Sequence, residues 1–417
     1  MKIYLEVYGC TANKSDAALI IGILKANFHQ IVKHIEQADI LILVTCTVIG
    51  TTEQRMLSRL REFKKFDKQV IVTGCMASVQ ADLIKSILPD SYLLHPKYSN
   101  QIINLLENKK VDFSKENIKY GPKYYDGLIA PLSIAEGCLF DCSYCITSPA
   151  RGNLRSFTKE QIEKDIYCAL KQNCKEIQLT AQDTASYGFD VGSNLGKLLS
   201  SVSTINGDFK IRVGMMNPYT ALKNLNEIIK GFYNKKIYKF LHIPVQSGDN
   251  GILELMNRKY TVEDFLIIIK KFRSEYPNIT ISTDTIVGFP GETNQQFYKT
   301  IDLIKKIKPD IVNVTRFSPR PMTKAKKMTD KINTKIAKER SRELVKLCNK
   351  ISFEKNNSYK SKSYNVLVIK KSKNNSHYIS RTNNYKPVLI NEKVNLGDSV
   401  NVEIIDFNSI HLFGKLI

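Results

Sequence analysis

The arrangement of apolar and polar positions divides the chain into three stretches. In the first, Ile3–Val7, Ile40–Val44 and Val70–Thr73 are short apolar runs that predict buried strands. Between them, Ser15–Phe28, Thr52–Phe66 and Val79–Leu88 read as helices. This alternation predicts a parallel sheet covered by helices. Asp112–Asp126 is polar, aromatic and lysine-rich with little periodicity, and reads as a linker. Alternation resumes with strands expected at Ile129–Ala135, Glu176–Ala181, Lys210–Met215, Phe240–Ile243, Thr280–Val287 and Ile311–Val314. Such a series of strand–helix units fits a partial barrel. A charged helix, Thr334–Tyr359, follows. The tail then changes to short strands at Tyr364–Ile369, His377–Ser380, Pro387–Ile390, Val400–Asp406 and Ser409–Leu416. Asn, Ser, Gly and Asp separate them, which predicts a small antiparallel barrel.

Composition adds one strong bias. The 417 residues carry a formal net charge of +22, with an ordinary 43% hydrophobic and 24% charged content. Such an excess of Lys and Arg points to a polyanionic partner, with a lysine-rich solvated surface as the plain alternative. The longest apolar runs are strand-sized, and the N-terminus opens into a strand pattern without an apolar signal region. A cytoplasmic protein with no membrane partner is expected. In a reducing compartment, nine cysteines argue for metal or redox chemistry over disulfides.

Two sets of three cysteines stand out. Cys138, Cys142 and Cys145 share one tight loop after a predicted strand. Three thiolates so spaced can wrap a [4Fe–4S] cubane and leave one iron open for another ligand. A three-ligand zinc site is the alternative, but no His stands near the loop. Cys10, Cys46 and Cys75 are far apart in sequence, yet each follows a predicted strand by two or three residues. Parallel strands bring their carboxyl ends to one edge, so these thiols too can converge on a cluster; the plain reading is three inert buried cysteines. Cys168, Cys174 and Cys348 fall in helical stretches and read as packing residues.

The CxxxCxxC loop, with Ala135-Glu-Gly-Cys138 before it and Tyr144-Cys145 within it, resembles the radical S-adenosylmethionine (SAM) family. In that family the open iron binds SAM, and one electron cleaves it to a radical that abstracts hydrogen from the substrate. Tyr8-Gly-Cys10-Thr-Ala-Asn13-Lys-Ser-Asp16, Thr45-Cys46-Thr47-Val48 and Thr73-Gly-Cys75-Met76 resemble the N-terminal domain of the methylthiotransferases, which carries an auxiliary [4Fe–4S] cluster. One departure is Ala17-Ala18 after Asp16, where relatives often read Asp-Ser-Glu. The tail resembles a TRAM domain, a small RNA-binding barrel. The resemblance implies an α/β multidomain chain: a flavodoxin-like N-terminal parallel sheet (1–111), a partial (β/α)6 radical SAM barrel (124–355) and a small C-terminal antiparallel β-barrel of TRAM type (356–417). Arg151-Gly-Asn-Leu, Gln182-Asp-Thr-Ala-Ser-Tyr-Gly and Arg212-Val-Gly-Met-Met-Asn-Pro218 look most like the archaeal and eukaryotic branch, which acts on N6-threonylcarbamoyladenosine of tRNA. Methylthiolation of isopentenyladenosine-37 or of a ribosomal-protein aspartate is the same-class alternative. A non-catalytic iron–sulfur RNA-binding regulator is the alternative of another class.

The resemblance implies two [4Fe–4S] clusters, on Cys10, Cys46 and Cys75 and on the catalytic Cys138, Cys142 and Cys145, with SAM as cofactor. Thr180, Gln182, Asp183, Arg212, Gln246, Asp284 and Gly288 lie at or near predicted strand ends and are candidates for holding SAM. Arg151, Arg320, Lys370, Lys371, Lys373 and Arg381 are candidates for substrate or RNA contact. An Asp after a strand often only caps a helix, and Gly288-Phe-Pro-Gly291 alone is a plain turn. The expected partners are a tRNA anticodon stem-loop and an electron donor such as ferredoxin or flavodoxin.

Overall fold

The computed structural model describes residues 1–107, 109–112, 119–372, 374 and 376–417. Its N-terminal sheet is parallel, with strands β1 (Lys2–Val7), β2 (Gln30–Val32), β3 (Ile40–Thr45), β4 (Gln69–Gly74) and β5 (Tyr92–Leu94) in the order β2-β1-β3-β4-β5. The central strand β3 is buried on both faces, which is why it reads as an unbroken apolar run. Helix Thr11–Ala26 covers one face and helix Gly50–Phe63 the other, giving two apolar layers. Strands β2 and β5 are three-residue edges, too short for a period to register.

The middle of the chain is a half-barrel of parallel strands. Strand β6 (Ile129–Ser133) leads into the short hairpin of β7 (Ala135–Glu136) and β8 (Arg155–Ser156). Then β9 (Glu176–Thr180) and β10 (Lys210–Val213) join β6 in the order β10-β9-β6. Strands β11 (Phe240–His242), β12 (Thr280–Val287) and β13 (Ile311–Arg316) form the other half. Ile211 stitches the halves together through backbone bonds to Lys236 and Tyr238 of 2.8 and 2.9 Å. Apolar residues between strands and surrounding helices form the largest core.

The N-terminal unit packs on the β6 edge of the half-barrel. Ser15 of its first helix accepts a hydrogen bond from the Ser133 amide at 3.1 Å. Gly22 of the same helix lies so close to Pro122 that an added Cβ would sit 2.1 Å from its carbonyl oxygen. The helix Thr334–Asn357, shorter than expected by two residues, packs against the other edge through Ala337, Leu344, Cys348 and Ile351. Beyond it, β14 (Ser363–Lys371), β15 (Tyr378–Thr382), β16 (Pro387–Ile390), β17 (Ser399–Phe407) and β18 (Leu412–Leu416) close into a barrel, ordered β14-β15-β16-β18-β17. Val366, Val368, Val388, Ile390, Val402, Ile404 and Leu412 fill it. Among the described residues, no helix is long and apolar enough to cross a membrane.

Candidate active site

Cys46 and Cys75 stand immediately beyond the carboxyl ends of β3 and β4, and Cys10 follows the end of β1 after Tyr8 and Gly9; the three strands are neighbours in the sheet. The turns that carry them are tight. Gly9 has φ +107°, and a Cβ there would fall 2.7 Å from Cβ of Cys46. Gly74 has φ +90° and packs against the Thr45 backbone. Asn13 clamps two of these turns together, donating from Nδ2 to the carbonyls of Tyr8 (2.7 Å) and Thr45 (2.8 Å). The Thr45 hydroxyl donates to the Thr73 carbonyl at 2.6 Å. Burial pushes the Cys46 thiol up to about 11 and raises Cys75 as well, and the neighbouring cysteines add to both shifts. Buried and protonated, these thiols are inert until a metal replaces the proton.

The second set sits on the loop between β7 and β8. Gly137, at φ +72°, passes so close to Asn153 that any side chain would strike its carbonyl. The loop is pinned from outside. The Ser143 amide donates to the Met256 carbonyl (3.0 Å) and its hydroxyl to the Leu255 carbonyl (2.8 Å). The amide of Thr147 points at Sγ of Cys145 (3.4 Å), and Nη1 of Arg258 donates to Sγ of Cys142 (3.2 Å). Burial pushes Cys138 up to about 12 and raises Cys142, which Arg258 pulls back down in part.

A pocket of about 210 Å³ opens beside Cys145. Val48 and Ile49, just after Cys46, line it together with Tyr144, Cys145 and Ile146; Gln246 beyond β11, Asp284 within β12 and Thr315 near the end of β13 complete the lining. Asp284 accepts from Nε2 of His242 (3.1 Å) and from Asn313 (2.7 Å). Burial alone would raise its carboxyl, but these partners hold it below the usual carboxylate range. Gln246 has φ +67° and is fixed by backbone bonds to Asp284 and Ile286. Its Oε1, and that of Gln182, is buried without a hydrogen-bond partner. The orphaned acceptor of Gln246, in the pocket beside Cys145, suits a ligand that donates hydrogen bonds.

All six cysteines are free thiols. Among the described residues no group of three His, Cys, Asp or Glu closes on a single metal ion. A cubane needs no such point, because each thiolate binds its own iron. The donor sets therefore fit iron–sulfur groups.

Comparison with known proteins bears on the same regions. The radical SAM superfamily matches residues 132–304, Uncharacterized protein family UPF0004 matches 2–94, and the TRAM domain matches 357–417. A Pyrococcus horikoshii protein named "Probable threonylcarbamoyladenosine tRNA methylthiotransferase" is 40% identical over the whole of both chains. The chain belongs to this methylthiotransferase family. A Drosophila melanogaster relative named "Threonylcarbamoyladenosine tRNA methylthiotransferase" is 31% identical over all of this chain and 78% of its own. A Fusobacterium nucleatum relative, named a tRNA-2-methylthio-N(6)-dimethylallyladenosine synthase, is 32% identical over the full length of both. Among solved structures, the radical SAM methyltransferase TsrM of Kitasatospora setae shares the fold, with TM-score 0.58 at 11% identity over 78% of this chain and 76% of its own.

Within this methylthiotransferase the other expected site residues divide. Gln246 and Asp284 line the pocket. Thr180 ends β9, buried, with its carbonyl bonded to the Ile134 amide. Asp183 does not offer a free carboxylate. It is fully buried and accepts from the amides of Ala185 (3.0 Å) and Asn217 (2.9 Å) and from the Thr220 hydroxyl (2.6 Å), so it caps the turns after β9 and β10. Burial pushes its carboxyl up to about 6. Arg212 stacks on Phe240 and on Tyr385 of the C-terminal barrel, at 5.2 and 5.7 Å, and so is engaged with that barrel instead of the pocket. Gly288 serves packing: its amide donates to Glu292 (2.7 Å), and a Cβ would meet Ala337 at 2.7 Å.

Neither Arg151 nor Arg320 is presented to a phosphate. Arg151 is buried among Asn13, Asp16 and Glu136, and Arg320 is buried against Glu53 and Thr47, behind the Cys46 turn. Both charges are met internally, by partners the sequence places far away. Lys371 lies over Tyr378 (5.1 Å) and Arg381 over Tyr385 (4.6 Å) on the small barrel. Lys370 and Arg381 line a cleft with Lys14 of the N-terminal unit. Lys373 lies outside the described residues. Arg258 and Asn313 have no assigned role in the sequence. A basic residue two positions before a buried Tyr was the only local signal for Arg258.

Proposed function

We propose that this chain converts N6-threonylcarbamoyladenosine at position 37 of tRNA, in the anticodon stem-loop, to its 2-methylthio derivative. The observation that carries the reading is the full-length match to relatives bearing that name, at 38–41% identity in several archaea. It is supported by a pocket lined both by Cys145 of one cysteine set and by Val48 and Ile49, which follow Cys46 of the other in the chain.

When bound, two [4Fe–4S] clusters and SAM supply the electron, the hydrogen-abstracting radical, the sulfur site and the methyl group. The chain's own residues bind, orient and shelter. Cys138, Cys142 and Cys145 hold one cluster, Cys10, Cys46 and Cys75 the other, each leaving one iron for a non-protein ligand. Gln182 and Gln246, with unpartnered carbonyl oxygens, receive amino or hydroxyl donors of SAM. Asp284, fixed by His242 and Asn313, presents an ionised carboxylate to the same space. Val48, Ile49, Ile146 and Phe317 wall off water. The cations on the small barrel grip the phosphates of the stem-loop. A low-potential donor such as ferredoxin or flavodoxin delivers the electron.

The test is mass spectrometry of tRNA nucleosides from cells with and without the gene. Loss of the methylthio nucleoside and accumulation of threonylcarbamoyladenosine are expected. An unchanged nucleoside profile would overturn the assignment. The 32%-identical dimethylallyladenosine relative supports one second reading, and loss of that methylthio nucleoside instead would establish it.

A further inference from the structure

A buried charge cluster joins the two cysteine sites. Arg151 ends the short helix Thr147–Arg151, which starts two residues beyond Cys145. Its side chain is 2% exposed. Nη2 donates to Oδ1 of Asn13 at 2.6 Å and forms an ion pair with Oδ2 of Asp16 at 2.7 Å; Nη1 approaches Glu136 at 3.3 Å. Lys119, from the linker, also meets Asp16, and it meets Glu136 at 2.6 Å. Two cations and two carboxylates thus cancel, and the cluster is neutral before any metal enters. Asn13 and Asp16 sit on the helix that begins at Cys10, and Glu136 lies two residues before Cys138. Every member is therefore tied closely in sequence or contact to a cysteine of one set or the other.

Arg151 has one more property. Its Nε proton is buried without an acceptor. The short helix it ends packs against the helix Cys75–Val79, and its charge opposes the rise that burial gives the Cys75 and Cys46 thiols. An unanswered N–H in a dry site is costly. A thiolate or sulfide is an acceptor of the right charge, and hydrogen bonds to sulfur together with local charge set the potential of such a group.

We infer that Arg151 is a positioning residue for the N-terminal iron–sulfur site, setting its reduction potential and seating it against the loop of Cys138, Cys142 and Cys145. The inference rests on the reading that Cys10, Cys46 and Cys75 hold a cluster. Arg151 then plays toward the first set the part that Arg258 plays toward the second.

The test is an EPR-monitored redox titration of the reconstituted full chain, with Cys138, Cys142 and Cys145 replaced by Ala so that only the N-terminal cluster is read. Arg151→Lys keeps the charge but loses the planar fork; it should retain iron and shift the midpoint to more negative potential. Glu136→Gln leaves the arginine and removes one opposing charge; it should shift the midpoint the other way. A purely structural ion pair gives no such opposed shifts, and unchanged midpoints in both variants would overturn the inference. If Arg151→Lys fails to fold, Arg151→Gln, which drops the charge, takes its place; a midpoint unchanged in it would overturn the inference whatever Glu136→Gln shows. Absence of any cluster in the triple-cysteine background would instead overturn the underlying reading, before the variants are compared.

Discussion

The two three-cysteine sites are built in opposite ways. The Cys138–Cys145 site is local. One loop carries all three thiols, and the half-buried Arg258 donates to one sulfur. The Cys10, Cys46 and Cys75 site is assembled from three strand ends. It needs tight glycine turns, the Asn13 clamp and a neutral four-charge cluster reaching into the next unit. A loop can define a site by its own spacing, whereas a site made from remote positions depends on the sheet edge and its supports.

The largest expected effect comes from the ligands themselves. Cys142→Ala should abolish methylthio transfer and remove about half the bound iron, leaving the N-terminal cluster in place. Cys75→Ala should do the converse, and iron analysis with EPR separates the two. Loss of all iron from either variant would show that the sites do not assemble independently.

Next comes the support between units. Arg320→Met strands the Glu53 carboxylate behind the Cys46 turn, where the arginine is 4% exposed. Breaking one buried pair costs about 3–5 kcal/mol. Thermal unfolding should record that loss, and iron should fall at the N-terminal site only. Arg258, being local, should affect the other site only.

Glycine substitutions sharpen the contrast further. Gly74→Ala forces a side chain at φ +90° into the Thr45 backbone and should cost about 2–3 kcal/mol. Gly152→Ala, at φ +77° with open space around it, should cost only about 1 kcal/mol. Denaturant melts of the two variants give the comparison, and equal losses would mean the strand-end turns are not specially crowded.

The smallest effect concerns the C-terminal barrel. Lys371→Ala, away from both cysteine sites, should weaken tRNA binding a few-fold and lower the salt slope by about one. Cluster content should not move. Fluorescence binding titrations at several salt concentrations measure it.

The same contrast explains what could be read from the sequence. The cysteine loop is a local motif and was legible outright. The strand-end cysteines were legible because Val7, Val44 and Thr73 close apolar runs whose parallel pairing follows from the alternation with helices. The small barrel was legible from its turn residues. What was not legible depends on partners distant in sequence. Arg151 reaches Asn13 across 138 positions and Arg320 reaches Glu53 across 267, so both looked like free cations. Asp183 looked like a ligand because nothing local shows that Asn217 and Thr220 from the next strand end would satisfy it. His242 gained its meaning only when β11 and β12 paired and brought Asp284 beside it.

The central claim is that both cysteine sites serve one reaction on one nucleoside. Its most direct test incubates reconstituted wild type, Cys142→Ala and Cys75→Ala with threonylcarbamoyladenosine-containing tRNA, SAM and a reductant, and follows the nucleosides by mass spectrometry. The account predicts the methylthio product from wild type and from neither variant. Methylthio product formed by Cys75→Ala at the wild-type level would contradict it.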